Sequence, residues 1–523
     1  MLKDRSADVD INFRLHFSED APILGDGGMR TIDSERLSAF VRMRRRKYTV
    51  AGKENTFMEM DMTKGTPSRL IARFIIPIII GNIFQQLYNM VDTIIVGRFV
   101  GLDALAAVGA TGSVVFLILG FTQGLTTGFT VLTAQRFGAG DKEGMKKSIG
   151  SAVILSLFVT VIMTALSMAG MDTLLHWMNT PDDIFEMTKQ YIMIICAGIC
   201  CNVIYNLQAS ILRAIGNSVV PLVLLFVSSV ANIVLDYVFI VYGHMGVGGA
   251  ALATVISQGL SGVLCLIYIV LCVPALHVGK EHFRLESQCV KNQISVGIPM
   301  ALQFSITAIG TILVQAALNL LGSLAVASYS VSCKVEQLVT QPFAAMGVTM
   351  ATYCAQNRGV NDLTRIQKGV RTANVMSAVY AVIIYGVIYL ALPVVVPLFV
   401  NEDVEQIYEY AKIYIGVCGA FFIPLGMIFI FRNALQGCGF GFMPMMGGVV
   451  ELLGRSVVAF IAARMLSYTG VCFANVAAWL TAGVFLWLAY RVLMRRMTGS
   501  AQGAALPQAD TGQEYEMNME EKS

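Results

Sequence analysis

Val91-Asp-Thr-Ile-Ile-Val-Gly-Arg98 runs directly into Phe99-Val-Gly-Leu-Asp-Ala-Leu-Ala-Ala-Val-Gly-Ala110. The acid Asp92 stands inside an apolar helical stretch, a short Gly-marked turn follows, and a second apolar helix begins at once. Two apolar helices joined this tightly are how a chain crosses a bilayer and returns. A carboxylate at such depth is costly in lipid and marks a functional position. It carries no such meaning if it lies near enough to the helix end to reach headgroup water, and position alone leaves both readings open.

The pattern repeats outward from this point. Apolar stretches recur from Leu70 to Met494, each near or above the roughly 20 residues needed to span a bilayer. Of the 523 residues, 56% are hydrophobic and 14% charged, with a mean hydropathy of +0.66. A soluble domain carries about 25% charged residues. The chain is therefore an all-α polytopic membrane protein. Spans are expected near 70–97, 102–132, 148–171, 190–213, 219–242, 247–273, 294–320, 324–350, 372–398, 409–432, 444–466 and 471–494, about twelve in all. Residues 1–62, polar and mixed with a basic run at Arg42, Arg44, Arg45, Arg46 and Lys47, are expected to be a disordered cytoplasmic leader, and 498–523 a disordered tail. No cleavable signal peptide is expected. A net charge of +3 gives no reason to expect a nucleic-acid partner. The 11 Cys read as small buried apolar residues rather than zinc ligands or disulfides, with Cys196, Cys200 and Cys201 clustered on one helix.

Orientation follows from the bases. Arg136, Lys142, Lys146 and Lys147 fall between spans two and three, Lys280, Arg284 and Lys291 between six and seven, and Arg358, Arg365, Lys368 and Arg371 between eight and nine. Arg491, Arg495 and Arg496 follow the last span. The opposite loops hold scattered bases (Arg98, Lys189, Lys412) and several acids (Asp182, Asp183, Glu402, Asp403, Glu405). The positive-inside rule then puts both termini in the cytoplasm.

The chain also repeats itself. Pro77 is matched by Pro299, Gly101-Leu-Asp-Ala-Leu-Ala-Ala by Gly322-Ser-Leu-Ala-Val-Ala-Ser, and Ala134-Gln-Arg-Phe-Gly-Ala-Gly-Asp141 by Ala355-Gln-Asn-Arg-Gly-Val-Asn-Asp362. Pro221 and Pro444 open the fifth span of each half. Both halves begin inside and have six spans, so they are parallel repeats related by a pseudo-two-fold along the membrane normal. The expected organisation is a first lobe at 63–273, a cytoplasmic linker at 274–293 and a second lobe at 294–497. Two such bundles enclose a central cavity, and rocking between them gives alternating access.

Chemistry-bearing residues concentrate in the first lobe. Asn232 and Asp236 are four apart in span five and share one face, and span six carries Thr254. At 1.5 Å per residue, Asp92, Asp236 and Thr254 each lie about 9 Å from the outer end of their helices. Two carboxylates, an amide and a hydroxyl at one depth are hard oxygen ligands for Na⁺, or neighbouring acids that share a proton. The alternative is that they only cross-link helices. The second lobe has no acid matching Asp92; its seventh span offers Gln303 and Gln315. It carries Lys334 and Glu336 in span eight, two apart and so not facing one another, and Glu451 with Arg455 in span eleven, spaced as a structural ion pair. Gln85, Tyr88, Asn89, Gln303, Lys334 and Glu336 are candidates for lining the cavity. The five His (His16, His176, His244, His277, His282) have no metal spacing, and no phosphate-binding loop is present. No cofactor is expected beyond a coupling ion, and no enzyme chemistry.

From Thr63 to Met497 the chain resembles the MATE (multidrug and toxic compound extrusion) family, and most of all its bacterial DinF-like branch. The residues that carry the resemblance are Pro77, Gln85-Gln-Leu-Tyr-Asn-Met-Val-Asp-Thr93, Gly97-Arg98, the Gly101-to-Gly109 segment, Gln135 with Gly138, and Arg213-Ala-Ile-Gly-Asn217 before Pro221. The resemblance implies a V-shaped twelve-helix antiporter in the bacterial inner membrane, expected to be a monomer, that exports amphipathic, mostly cationic compounds in exchange for Na⁺ or H⁺. It also implies a first-lobe cation site, and Asp92, Asn232, Asp236 and Thr254 match its residues in type, order and spacing. Relatives of another branch use an acid in the seventh helix; residues 299–315 here contain none, which favours first-lobe coupling. The rival expectation is a lipid-linked oligosaccharide flippase of the same superfamily, which needs a basic cavity for a pyrophosphate headgroup.

Overall fold

The structure is a computed structural model that describes residues 60–178, 180–399 and 403–504. The disorder expected for residues 1–59 and 505–523 lies outside the described residues. In chain order the helices are α1 (Pro67–Phe99), α2 (Leu102–Gly138), α3 (Lys142–Trp177), α4 (Asp182–Ala197), α5 (Ile199–Ala214), α6 (Val219–Tyr237) and α7 (Gly246–Cys272), followed in the second half by α8 (Ser287–Asn319), α9 (Ser323–Gly359), α10 (Leu363–Val395), α11 (Val404–Gly419), α12 (Phe422–Gly437), α13 (Phe442–Arg464) and α14 (Tyr468–Ala504).

Among these, nine helices are long and apolar enough to cross a membrane, and the bent pairs α4–α5 (46°) and α11–α12 (50°) add one span each. The twelfth span is α9. Its 37 residues include Lys334, Glu336, Gln337, Thr340 and Gln341, too many polar groups for hydropathy to find it, yet it packs against α1 and α2 as well as α10, α11 and α12. Most helices outrun their apolar segments because polar ends are helical too. Asp141 caps α3 by accepting from the Gly144 amide at 2.8 Å, and Asp362 caps α10 by accepting from Arg365 at 2.9 Å. The Gly144 amide and the Arg136 guanidinium hold the Asp141 carboxyl below the usual carboxylate range.

The repeat is visible in the backbone. Left-handed residues occur in matched pairs: Gly101 with Gly322, Gly140 with Asn361, Gly216 with Gly439, and His244 with Leu466. At Gly140 and Asn361 the chain turns out of one helix and into an Asp-capped next one, a place where only Gly or Asn takes this conformation without strain.

The ordered chain departs from its expected limits at three places. Met62, assigned to the leader, is fully buried. Its amide donates to Gln356 Oε1 at 2.8 Å, and its carbonyl accepts from Asn357 Nδ2 and Arg365 Nε. The linker ends where α8 begins at Ser287, and it contains two short 3₁₀ turns, Pro274–Leu276 and Lys280–His282. The last helix continues to Ala504. The cysteine cluster is also divided, since the bend at Gly198 puts Cys196 on α4 and Cys200 and Cys201 on α5.

The two lobes meet along α2 and α8. Gly124 and Gly128 lie against Ala301 and Gly297 so closely that a Cβ on Gly124 would stand 2.7 Å from the Ala301 Cα. Small residues here let two backbones touch. Toward the other end of α2, a Cβ added at Gly109 or Gly112 would meet no described neighbour outside its own helix within 4 Å. The lobes are joined at the basic end of the bundle. The first helix of each half starts in the other half's territory. Ile71, Phe74, Ile75 and Ile78 of α1 are buried in the second-lobe core. Gln293 of α8 accepts from Ser151 and donates to the carbonyls of Ser148 and Phe129 in the first lobe.

The second lobe also holds an ion triad. Glu451 accepts from Arg455 at 3.0 Å, as its spacing predicts, and from Arg432 of α12 at 2.8 Å. All three side chains are at most 10% exposed. Arg432 escaped the sequence reading because its partner lies on another helix. Glu451→Gln leaves two buried guanidiniums without a countercharge, and should destabilise the lobe by about 3–5 kcal/mol. Thermal unfolding in detergent checks this; an unchanged midpoint would refute the triad as a structural element.

Candidate functional site

Asp92 on α1 and Asp236 on α6 come together in the first lobe. The two helices pack against each other along the first lobe. Asn232, one turn before Asp236, is 2% exposed and Asp236 is 0% exposed. Both oxygens of Asp236, both amide atoms of Asn232 and Oδ1 of Asp92 are buried with no hydrogen-bond partner among the described residues. In the same lobe Ile95 and Val96 of α1 pack with Tyr191, Ile240, Ala250 and Ala251 in one buried cluster. Thr254 is half-buried on α7, which packs along α6; no hydrogen bond among the described residues links it to either carboxylate. Three of the four expected site residues thus present buried, unmatched polar atoms on two packed helices, and Thr254 lies on a third helix packed along one of them.

Buried polar groups are normally satisfied, because an unmatched one costs its full desolvation. Five such atoms on two packed helices do not serve as a cross-link, since none bonds to another group among the described residues. The arrangement suits an added positive charge of small size, held by hard oxygens and screened from water. The helix responds locally as well: directly after Asp236 the backbone switches to a π segment, Val238–Tyr242, a distortion that often accompanies functional positions. The sequence reading missed both this segment and Tyr191, an aromatic on an apolar face that carries no signal of its own.

The remaining candidates separate. Gln85 and Asn89 are exposed on α1, and Tyr88 between them is half-buried. Gln303 is half-buried and accepts from Gln436 at 3.0 Å. Lys334 is exposed, whereas Glu336 turns into the second lobe and accepts from the Tyr414 hydroxyl. Asn475 ties that hydroxyl to Tyr329, donating to the two at 3.3 and 3.0 Å. Lys334 and Glu336 therefore do not work as a pair.

At the basic end the repeat builds a crossed closure. Gln135 of α2 donates to the Gly437 carbonyl at the end of α12, at 2.9 Å. Its repeat counterpart, Gln356 of α9, donates to the Ala214 carbonyl at the end of α5, also at 2.9 Å. Each lobe thus reaches across to the same place in the other.

A chamber of paired acids inside one of two repeated lobes is the layout of a carrier. The MatE family model matches residues 77–238 and 299–461, one stretch in each half of the repeat. The chain belongs to the MATE family. It is 26% identical over 354 residues to the probable multidrug resistance protein YoeA of Bacillus subtilis, covering 66% of this chain and 76% of that one. Over 186 residues it is 31% identical to the DNA damage-inducible protein F of Escherichia coli, covering 35% and 40% respectively. Among solved structures, a multidrug resistance MATE family transporter described in an outward-facing conformation superposes with a TM-score of 0.79 at 24% identity, covering 84% of this chain and 98% of that one. As a MATE protein the chain is a multi-pass membrane transporter and not an enzyme.

Proposed function

We propose that this MATE protein is a cation-coupled multidrug antiporter that exports amphipathic, mostly cationic compounds by alternating access, with its basic end and both termini in the cytoplasm. The observation that carries the reading is the buried, unpartnered set Asp92, Asn232 and Asp236. Relatives named as multidrug resistance proteins support the substrate class. In this orientation the lobes are open outward and closed inward. Na⁺ or H⁺ enters the chamber from outside and cancels negative charge there. Drug and cation prefer opposite charge states of the site, so cation uptake weakens drug binding and drug leaves outward. α1 carries Pro77, which lacks a backbone donor and lets the helix bend as the chamber changes charge. The lobes then rock, the crossed glutamines part, and the cation leaves to the cytoplasm. The flippase alternative needs free buried bases, but Arg432 and Arg455 are both engaged by Glu451.

The test is ethidium efflux from proteoliposomes under an imposed Na⁺ gradient or an imposed pH gradient. One gradient should accelerate efflux roughly tenfold over the gradient-free rate, since a tenfold gradient supplies about 1.4 kcal/mol. That outcome names the ion. Folded protein that moves ethidium under neither gradient would overturn the proposal.

A further inference from the structure

The outer flank of the second lobe carries a cavity of about 890 Å³ between α10, α12 and α14. It lies apart from the acidic chamber and from the α2–α8 seam. Its rim holds Arg371 from α10 and Arg491 and Arg495 from α14, and no acid lines it. All three arginines are exposed, and none forms an ion pair with a described residue. The Arg491 guanidinium sits 4.4 Å from the centre of the Trp487 ring, which fixes its plane and leaves its N–H edges free. Deeper in, the wall turns apolar with Met427 and Phe431. Two polar groups in the wall lack partners among the described residues: the hydroxyl of Tyr490, a residue only 8% exposed, and Oδ1 of Asn374.

We infer that this cavity is a binding site for an anionic phospholipid of the inner leaflet, its phosphate at the three arginines and its acyl chain along Met427 and Phe431. The inference rests on the proposed orientation, which puts the rim at the cytoplasmic headgroup level. Arg371 lies near the start of α10, and Arg491 and Arg495 near the end of α14 on one face, i and i+4. Forked guanidiniums match phosphate oxygens bidentately, and basic pockets between spans on the cytoplasmic side suit anionic headgroups. The volume lies within the range of roughly 300–1,000 Å³ typical of small-molecule sites, and the division into a cationic rim and an apolar floor is that of a lipid. A cationic drug meets three like charges here. A zwitterionic lipid such as phosphatidylcholine brings the phosphate together with a choline cation that the three guanidiniums repel.

The experiment is native mass spectrometry of the full-length protein in detergent, titrated with phosphatidylglycerol or phosphatidylcholine. Wild type should retain phosphatidylglycerol at least roughly tenfold better than phosphatidylcholine. Arg371→Gln with Arg495→Gln should erase that preference, and Arg371→Lys with Arg495→Lys should restore part of it, because charge remains while the fork is lost. Inorganic phosphate in millimolar excess should leave the lipid bound. Equal retention of the two lipids, or an unchanged preference in the Gln variant, overturns the inference. Displacement by inorganic phosphate overturns it in favour of a bare anion site. The C-terminal segment is acidic at Glu514, Glu516, Glu520 and Glu521. Changing these four to Gln should not alter lipid retention, and a gain would assign the cavity to that segment instead. The readout involves no transport, so its failure is distinguishable from failure of the antiporter reading.

Discussion

Asp236→Asn abolishes gradient-driven efflux and leaves the protein as stable as wild type or more so. Asn keeps the size of the side chain and removes its charge. Asp236 is 0% exposed and neither oxygen has a partner among the described residues, so no bond within them is lost. A structural acid would behave oppositely: breaking a satisfied buried group typically costs about 1–3 kcal/mol. The functional loss should be nearly complete, because coupling requires the site to alternate between two charge states, and Asn holds it in one. Efflux under the driving gradient should fall more than roughly tenfold, to the gradient-free rate, the scale of a coupling free energy of about 1.4 kcal/mol or more. Ethidium affinity should fall as well, since the variant mimics the cation-loaded chamber. Proteoliposome efflux and a thermal midpoint together decide the matter. Wild-type gradient-driven efflux in the variant would remove Asp236 from the mechanism.

Gln135→Ala combined with Gln356→Ala opens the basic end. The two glutamines are repeat counterparts, and each donates to a carbonyl of the opposite lobe at 2.9 Å. Gln356 also accepts from the Met62 amide, so its loss loosens the strap ahead of α1. A net contribution of about 1 kcal/mol per bond, plus the unmatched carbonyls left behind, shifts the inward–outward equilibrium by roughly 2–3 kcal/mol, or on the order of 30- to 150-fold. Amide hydrogen exchange should quicken in segments 132–140, 211–217 and 434–440, and efflux should slow because the outward-open state is depopulated. The single variants should each show part of the effect, and the double more than their sum if the closure acts as a unit. Unchanged exchange in all three segments would show that the α2–α8 backbone contact alone holds the lobes together.

Much of this was legible because membrane insertion imposes simple rules. Every backbone group must be satisfied within its own helix, so length and hydropathy alone locate most spans. Duplication of six of them appears as matched Pro, Gly and Gln–Gly motifs. The candidate acids were legible for the same reason, since a carboxylate in an apolar helix stands out. Hydropathy failed at α9, where Lys334, Glu336, Gln337, Thr340 and Gln341 lower its mean, although the helix packs against both lobes.

By itself the sequence determined an all-α membrane protein of two parallel repeats and the distribution of basic loops, and it nominated Asp92, Asn232 and Asp236 as candidates. These follow from local composition and period, which need no partner. Only the tertiary structure decided that the first helix of each half is buried against the other half, that Arg432 joins Glu451 and Arg455, that Glu336 turns to Tyr414 rather than toward Lys334, and that Gln135 and Gln356 close the basic end. Each of these is a contact between residues distant in the chain, set by which faces the packed helices bring together, and no helical period encodes it.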